Sequence, residues 1–221
     1  MCAEFGLNAF SMPCGKVNPH FSEKNMSSLE AIFRSVDQTR VREAMPQKTH
    51  SDLHQIVSDV LLLCERTKTR LIIPVGMGEW KRDEFVQLVK QRKTTVVASA
   101  DAYFMRDGEY RFDARRLTQA HIECQTLCKK TLHNNSTDLC VIANQNCKLQ
   151  NIRMYADMRM PFVVVVFMPD SSTTAISLSV NNCKGVPANV YKSVYEDMQA
   201  LIPQLTRDHL PKLTGVFTCT V

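Results

Sequence analysis

The 221-residue sequence lacks any apolar run near the length of a membrane span. A helix that crosses a bilayer needs about 20 consecutive apolar residues, and none of the short apolar runs approaches that length. Residues 1–21 have neither a basic start nor a continuous apolar segment, so a secretory signal is not expected. We therefore expect an intracellular protein, cytoplasmic or nuclear, that has no membrane partner.

Clustered charge is also absent. The chain carries 27 Lys and Arg residues against 22 Asp and Glu residues, a formal net charge of +5 that is spread along its length. A nucleic-acid footprint needs basic residues clustered on one face. This composition predicts weak or no nucleic-acid binding.

The nine cysteines form no framework, because their number is odd and they are dispersed through predicted helices and strands. This usage favours free thiols in a reducing compartment. His121, Cys124 and Cys128 share one helical face, which is the spacing of either a metal cluster or a core stripe. We favour the core stripe and expect no metal site, because no fourth ligand is suitably spaced and cysteines are often buried.

The apolar residues of the N-terminal part show no periodicity at first and a helical periodicity afterwards. Residues 1–26 carry isolated apolar residues and predict an irregular tail. A first helix is expected to begin with Ser27 or Ser28 as its N-cap and to end at Pro46. Internal repeats and low-complexity segments are absent.

A second helical stripe predicts a helix that begins at about Thr49 or Ser51 and includes Cys64. With the first helix it makes up a helical extension over residues 27–68. The rest of the chain, residues 69–221, is expected to form one α/β domain.

That domain is predicted from short apolar runs that alternate with amphipathic segments. Val- and Ile-rich runs separated by helices are typical of a parallel sheet covered on both faces. The predicted strands are 70–75, 94–99, 138–143 and 162–168, and the predicted helices are 82–92, 114–132, 148–158 and 187–201. The C-terminal residues 213–221 could add a strand or trail from the domain.

A series of motifs follows the second of these strands. They comprise a strand that ends in Ser-x-Asp, an aromatic pair, an Asp-Gly-x-Tyr-x-Phe turn, and a helix with Ala-His and Gln. The residues are Ser99, Asp101, Tyr103, Phe104, Asp107, Gly108, Tyr110, Phe112, Ala120, His121 and Gln125. An Asn-rich turn follows the third strand, and residues 181–187 read Asn-Asn-Cys-Lys-Gly-Val-Pro.

In this order and spacing the motifs resemble the P-loop kinase-like proteins of the polynucleotide kinase group. The closest resemblance is to the ubiquitin-ligase-binding, polynucleotide-kinase-like branch, and a more distant one is to the kinase-like domain of cyclic-nucleotide phosphodiesterase. It covers roughly residues 69–201 and implies a P-loop kinase-like domain. Members of the family transfer or hydrolyse the γ-phosphate of a nucleoside triphosphate held with Mg²⁺.

The family's phosphate-binding loop is only partly kept. Its pattern is G-x-x-x-x-G-K-[ST], in which backbone N–H groups, the lysine and the hydroxyl hold phosphate and Mg²⁺. Aligned on Lys81, the first glycine, the last glycine and the hydroxyl residue are replaced by Val75, Trp80 and Arg82. The residues that keep a vestigial cofactor-binding pattern are Gly76, Gly78 and Lys81.

Three further functional positions of the family are altered. The acidic pair that accepts the substrate proton is reduced to Asp101 followed by Ala102, and Ala143 stands where an aspartate holds the metal. In the lid, the arginine position is held by Val180 and Asn181, and Lys184 replaces the histidine.

Losing one preorganised electrostatic contact commonly costs about 2.7–4 kcal/mol of transition-state stabilisation. The changes in the phosphate-binding loop and at these three further positions therefore predict a non-catalytic interaction protein with no bound cofactor and no catalytic residues. One alternative is an active 5′-hydroxyl polynucleotide kinase or ATPase that uses ATP, Mg²⁺ and Asp101 as the base. Another is a nucleic-acid-binding module.

The expected partner is a protein, and residues 1–68 are the predicted docking element. Exposed apolar anchors on a flexible segment suit a partner's groove. The anchors in the tail are Phe5, Leu7, Phe10 and Phe21.

For several residues an ordinary structural role competes with a functional one. Lys81 is expected to be a solvated lysine rather than an anion ligand, and His121 to tie its helix to the Asp-Gly-Glu-Tyr turn. Arg111, Arg115 and Arg116 are expected to form a solvated helix start rather than a nucleic-acid contact.

Overall fold

The computed structural model describes residues 47–221, apart from residues 51, 135, 183, 184, 208 and 209. The predicted tail and the first predicted helix lie outside this range, as does the lid residue Lys184. Among the described residues, no helix is both long enough and apolar enough to span a bilayer.

Eight strands and six α-helices make up the described chain. The strands are β1 (Gln47–His50), β2 (Leu71–Val75), β3 (Thr95–Ala98), β4 (Met105–Arg106), β5 (Glu109–Tyr110), β6 (Leu139–Ile142), β7 (Phe162–Met168) and β8 (Leu213–Thr220). The helices are α1 (Leu53–Thr67), α2 (Asp83–Arg92), α3 (Leu117–His133), α4 (Leu149–Ala156), α5 (Ser172–Ser177) and α6 (Ala188–Arg207).

Six strands form one parallel sheet in the order β1-β8-β7-β2-β6-β3, and β4 and β5 form a separate antiparallel hairpin. Every residue of β2 and β6 is buried, as expected for strands covered on both faces. Helix α1 packs with α2 and β8, while α6 packs with α4 and α5. The predicted α/β class with a helix-flanked parallel sheet is confirmed, and the C-terminal segment is its strand β8.

The start of the described chain differs from its prediction. Residues 47–50 form a strand that pairs in parallel with β8, so a helix beginning at Thr49 or Ser51 is wrong. Helix α1 begins at Leu53, because the Asp52 carboxylate accepts hydrogen bonds from the backbone N–H groups of His54 and Gln55. Cap-type residues stand at several adjacent positions, and the sequence pattern alone selects the wrong one.

Helix α1 belongs to the same core as the sheet. Its apolar stripe is buried and consists of Leu53, Ile56, Val57, Val60, Leu61 and Cys64. The second helix of the predicted extension therefore packs on the α/β domain and does not present this stripe to solvent.

Helix α6 continues to Arg207, six residues beyond its predicted end at residue 201. Pro203 lies inside it and lacks the N–H that would donate to the preceding turn. The buried residues Leu201 and Leu205 lie on either side of this proline, so burial of the apolar stripe outweighs the lost hydrogen bond. Helix α5 is absent from the sequence prediction.

The six described cysteines are buried free thiols, in agreement with the predicted core role of Cys124 and Cys128. Burial raises the pKa of the Cys64 thiol to about 12, and the neighbouring Glu65 carboxylate adds to the rise. These thiols act as small core side chains.

Arg70 joins the start of β2 to the end of α3. Its guanidinium donates to the carbonyl oxygens of Leu132 at 2.9 Å, Asn134 at 2.6 Å and Thr137 at 2.5 Å. Longer bonds reach the carbonyls of Thr131 and Asp138. The last carbonyls of a helix have no partner within the helix, so Arg70 supplies donors for this end of α3.

We predict that Arg70→Lys lowers the free energy of unfolding by about 1–3 kcal/mol, because an ammonium cannot serve several carbonyls in the fork geometry of a guanidinium. Urea denaturation measures the change. Arg92→Lys is the matched control, since Arg92 is exposed and donates to Ser58 Oγ at 2.8 Å. Equal stabilities for the two variants would contradict this role for Arg70.

Candidate functional site

A cavity of about 500 Å³ opens beside the carboxyl ends of the central strands. In the sheet, β3 and β6 lie on one side of β2, and β7 lies on its other side. The connection from β6 to β7 therefore crosses β2, and the carboxyl end of β2 lies where the strand order changes direction. Ligands of open α/β sheets bind in such crevices. The walls come from segments 77–79, 82–83, 100–101, 144–147 and 185–187, with side chains from the β5–α3 region.

Gly76 begins the loop that follows β2 and is required by its backbone geometry. Its φ of +129° is a region that L side chains rarely adopt. A Cβ at this position would lie 2.8 Å from the Phe167 carbonyl oxygen. The Gly76 N–H donates to the Gln145 carbonyl at 2.9 Å, which ties this loop to the turn after β6.

Arg82 occupies the inside of this loop. Its side chain is buried, with 5% of the residue exposed, and Nη1 donates to the Gly76 carbonyl at 3.0 Å. Nε and Nη2 donate to the Asp83 Oδ1 atom at 2.9 and 2.7 Å. A Cβ at Gly78 would collide with the Asp83 carboxylate, so the loop closes around its own ion pair.

Trp80 anchors the same loop to α6. Its side chain is fully buried and packs edge-on against Tyr191, with ring centroids 6.2 Å apart. Among the described residues, its Nε1 atom is buried without a hydrogen-bond partner. The indole therefore acts as an apolar wedge that holds the loop against the helix.

Lys81 lies in the loop after β2 but outside the cavity lining. It adopts a left-handed backbone with φ of 61° and does not line the cavity, whereas Gly78 does. Burial raises the pKa of the Cys219 thiol at the end of β8, and the positive charge of Lys81 opposes that rise. Of the three predicted cofactor-binding residues, Gly78 lines the cavity, whereas Gly76 and Lys81 do not.

Asp101 lies on the opposite wall and is held in a hydrogen-bonded turn. Its carboxylate accepts a bond from the Tyr110 hydroxyl at 3.0 Å, and its N–H donates to Ser99 Oγ at 3.2 Å. Burial and the Asp101 charge raise the pKa of Tyr110 to about 12, so the phenol stays a donor at neutral pH. Asp101 is therefore a hydrogen-bonded acid in this fold.

His121 lines the cavity but does not make the predicted tie to the Asp-Gly-Glu-Tyr turn. Its Nδ1 atom is buried without a hydrogen-bond partner in the described part of the chain. The Tyr110 hydroxyl bonds Asp101, which joins the turn to the segment after β3 and not to α3.

Two asparagines after β6 are structural residues that sequence reasoning missed. Asn146 is buried, with 4% exposed, and its Nδ2 donates to the carbonyls of Pro74 at 2.9 Å and Ile142 at 3.0 Å. Its φ of 51° is one that asparagine tolerates better than most residues, which is the signal that could have identified it. The Asn144 Oδ1 atom accepts a bond from the Ala100 N–H at 2.8 Å.

The arginines near the start of α3 are exposed and paired with neighbours. Arg111 bonds Glu109 at 2.7 Å, and Arg115 bonds Asp113 at 3.0 Å. Arg116 lies over the ring of Tyr103, 5.5 Å from its centroid. They form the solvated helix start that the sequence predicts.

The chain was compared with family models, curated proteins and solved structures. No family model matches the chain, and no curated protein matches it. Among solved structures, a candidate kinase from Chloroflexus aurantiacus matches over 69% of this chain and 88% of its own, with 16% sequence identity and a TM-score of 0.43. A likeness at this level carries no argument about function, so the site is interpreted from its own residues.

We predict that Asn146→Asp lowers the free energy of unfolding by about 2–3 kcal/mol at neutral pH, because a carboxylate cannot donate to the carbonyls that Asn146 serves. Protonation restores one donor, so the loss should shrink as the pH falls. Denaturant unfolding at several pH values measures this. The matched control is Gln145→Glu, the same chemical change at an exposed neighbour. A loss that is equal in both variants, or independent of pH, would contradict the assignment.

Proposed function

We propose that this chain is a non-catalytic interaction protein that is built on a polynucleotide-kinase-type P-loop fold and acts through protein partners. The observation that carries the proposal is the position of Arg82, whose guanidinium bonds the Gly76 carbonyl and the Asp83 carboxylate inside the loop. In a phosphate-binding loop that space must be open to backbone N–H groups and to the anion.

Charge and space both oppose a triphosphate at this loop. A phosphate would have to displace a buried guanidinium that makes three hydrogen bonds, and it would approach the Asp83 carboxylate. Lys81, the remaining lysine of the motif, does not line the cavity. The residues of this loop therefore do not fit a nucleoside triphosphate.

The metal position supports the same proposal. Arginine offers only donors and cannot ligate a cation, and it stands where the motif has a hydroxyl. Ala143 has no oxygen in its side chain, and the neighbouring Asn144 Oδ1 already accepts the Ala100 N–H. These residues do not fit Mg²⁺, so no catalytic step is assigned to a metal.

A protein partner is favoured over nucleic acid because the exposed arginines at the start of α3 are already paired. Arg111 and Arg115 bond carboxylates, and Arg116 contacts an aromatic ring. Nucleic-acid affinity depends on cations that neutralise phosphates, and these arginines would first have to leave their own partners.

We predict that millimolar Mg²⁺·ATP leaves the melting temperature of the full chain unchanged. A ligand at 100 times its dissociation constant would stabilise the fold by about 2.7 kcal/mol, which a thermal scan resolves easily. ATP hydrolysis and phosphorylation of a 5′-hydroxyl oligonucleotide should both be undetectable. Turnover that is abolished by Lys81→Ala or Asp101→Ala would overturn the proposal, and Asp157→Ala provides a control at an exposed site outside the cavity.

A further inference from the structure

Two stretches of the described chain place a pair of basic residues before a threonine, with one residue between. One is Arg115-Arg116-Leu117-Thr118, which leads into α3, and the other is Arg92-Lys93-Thr94-Thr95, which leads into β3. Basophilic protein kinases select hydroxyl substrates by such charge patterns, because carboxylates of the kinase pair with the basic side chains. The structure separates the two stretches, because their hydroxyl groups lie in different surroundings.

Thr95 is held by the sheet. It lies in β3 opposite Leu139 of β6, it is half-buried, and its hydroxyl donates to the Lys93 carbonyl at 2.9 Å. A kinase must take the acceptor segment into its own groove, which would require β3 to leave its neighbour. Strand pairing therefore protects this hydroxyl.

Thr118 is exposed and is the second residue of α3. Two other threonines of this helix, Thr126 and Thr131, each donate at 2.8 Å to the carbonyl four residues before. Among the described residues, Thr118 makes no such bond, and the carbonyl four residues before it, that of Ala114, accepts from the Leu117 N–H. The first turn of a helix opens more readily than its interior, so a kinase can reach this hydroxyl.

The two arginines before Thr118 are also accessible. The Arg115 side chain is 90% exposed, and its ion pair with Asp113 contributes little because solvent screens it. Arg116 is exposed and lies over the Tyr103 ring, 5.5 Å from its centroid. This contact uses the face of the guanidinium and leaves its in-plane N–H groups for carboxylates.

We propose that Thr118 is a phosphorylation site for a basophilic protein kinase. The kinase transfers the γ-phosphoryl group of ATP to Thr118 Oγ1. The bond from the γ-phosphorus to the bridging oxygen breaks, an Oγ1–P bond forms, ADP leaves, and the hydroxyl proton passes to the catalytic aspartate of the kinase. The inference goes beyond the proposed function and does not depend on it, because the catalyst is a separate protein.

The modification would change the charge at the border of the cavity. A phosphothreonine carries a charge of about −1.5 to −2 at pH 7. Thr118 follows Leu117, which lines the cavity and is 39% exposed. A partner that contacts the apolar side chains at this border would therefore meet a new anion beside them.

The test incubates the full chain with a purified kinase of the cyclic-AMP-dependent class and Mg²⁺·ATP, and locates phosphate by tandem mass spectrometry. We expect phosphate on Thr118, none on Thr95 or on the exposed Thr126, and none at these residues when the kinase is left out. Thr118→Ala should lose this phosphate and keep the melting temperature of the wild type.

Arg115→Gln and Arg116→Gln should each lower the initial rate at Thr118 by about tenfold or more, because each removes a cation that the kinase carboxylates recognise. The matched control is Arg111→Gln, an exposed arginine that lies outside the pattern and should leave the rate unchanged.

Phosphate that maps only to residues other than Thr118 would overturn the inference. A rate at Thr118 that Arg115→Gln and Arg116→Gln both leave unchanged would overturn it as well. Phosphorylation of Thr95 in the folded chain at the rate of Thr118 would contradict the selection by structure on which the inference depends.

Discussion

The hydrogen bond from the Arg82 guanidinium to the Gly76 carbonyl fixes the loop at the carboxyl end of β2. The same guanidinium pairs with the Asp83 carboxylate, whose side chain is 60% exposed. Removing Arg82 would leave the Gly76 carbonyl without this donor inside the loop. Trp80 reinforces it by fixing the turn on α6 with an indole that is fully buried. The side chains of Arg82 and Trp80 therefore both hold the loop.

The sheet and its connections hold this loop in place. Strand β2 lies between β7 and β6, and the Gly76 N–H and the Asn146 side chain link its end to the turn after β6. At the opposite end, Arg70 joins the start of β2 to the last turn of α3. These bonds tie both ends of β2, and with it one wall of the cavity, to the neighbouring elements.

Apolar runs and helical periods were sufficient to predict the parallel sheet, because residues such as those of β2 and β7 are buried on both faces and leave an unbroken signal. Caps were harder, since Thr49, Ser51 and Asp52 are all acceptable cap types and only the structure shows which one bonds the helix. The path of α6 past Pro203 depends on burial of Leu205, a tertiary effect that local pattern does not carry. The sequence shows that Arg82 replaces a hydroxyl residue, but it does not show that the Arg82 side chain points into the loop. Asn146 was missed because its role depends on backbone carbonyls from two other segments.

The most direct measurement is a crystal structure of the full chain obtained in the presence of Mg²⁺ and ADP. The account predicts that Arg82 Nη1 remains within hydrogen-bond distance of the Gly76 carbonyl, near the 3.0 Å seen here, and that no phosphate lies against the loop N–H groups. A β-phosphate bound to those N–H groups, with the Arg82 side chain displaced and Lys81 turned toward it, would contradict the account.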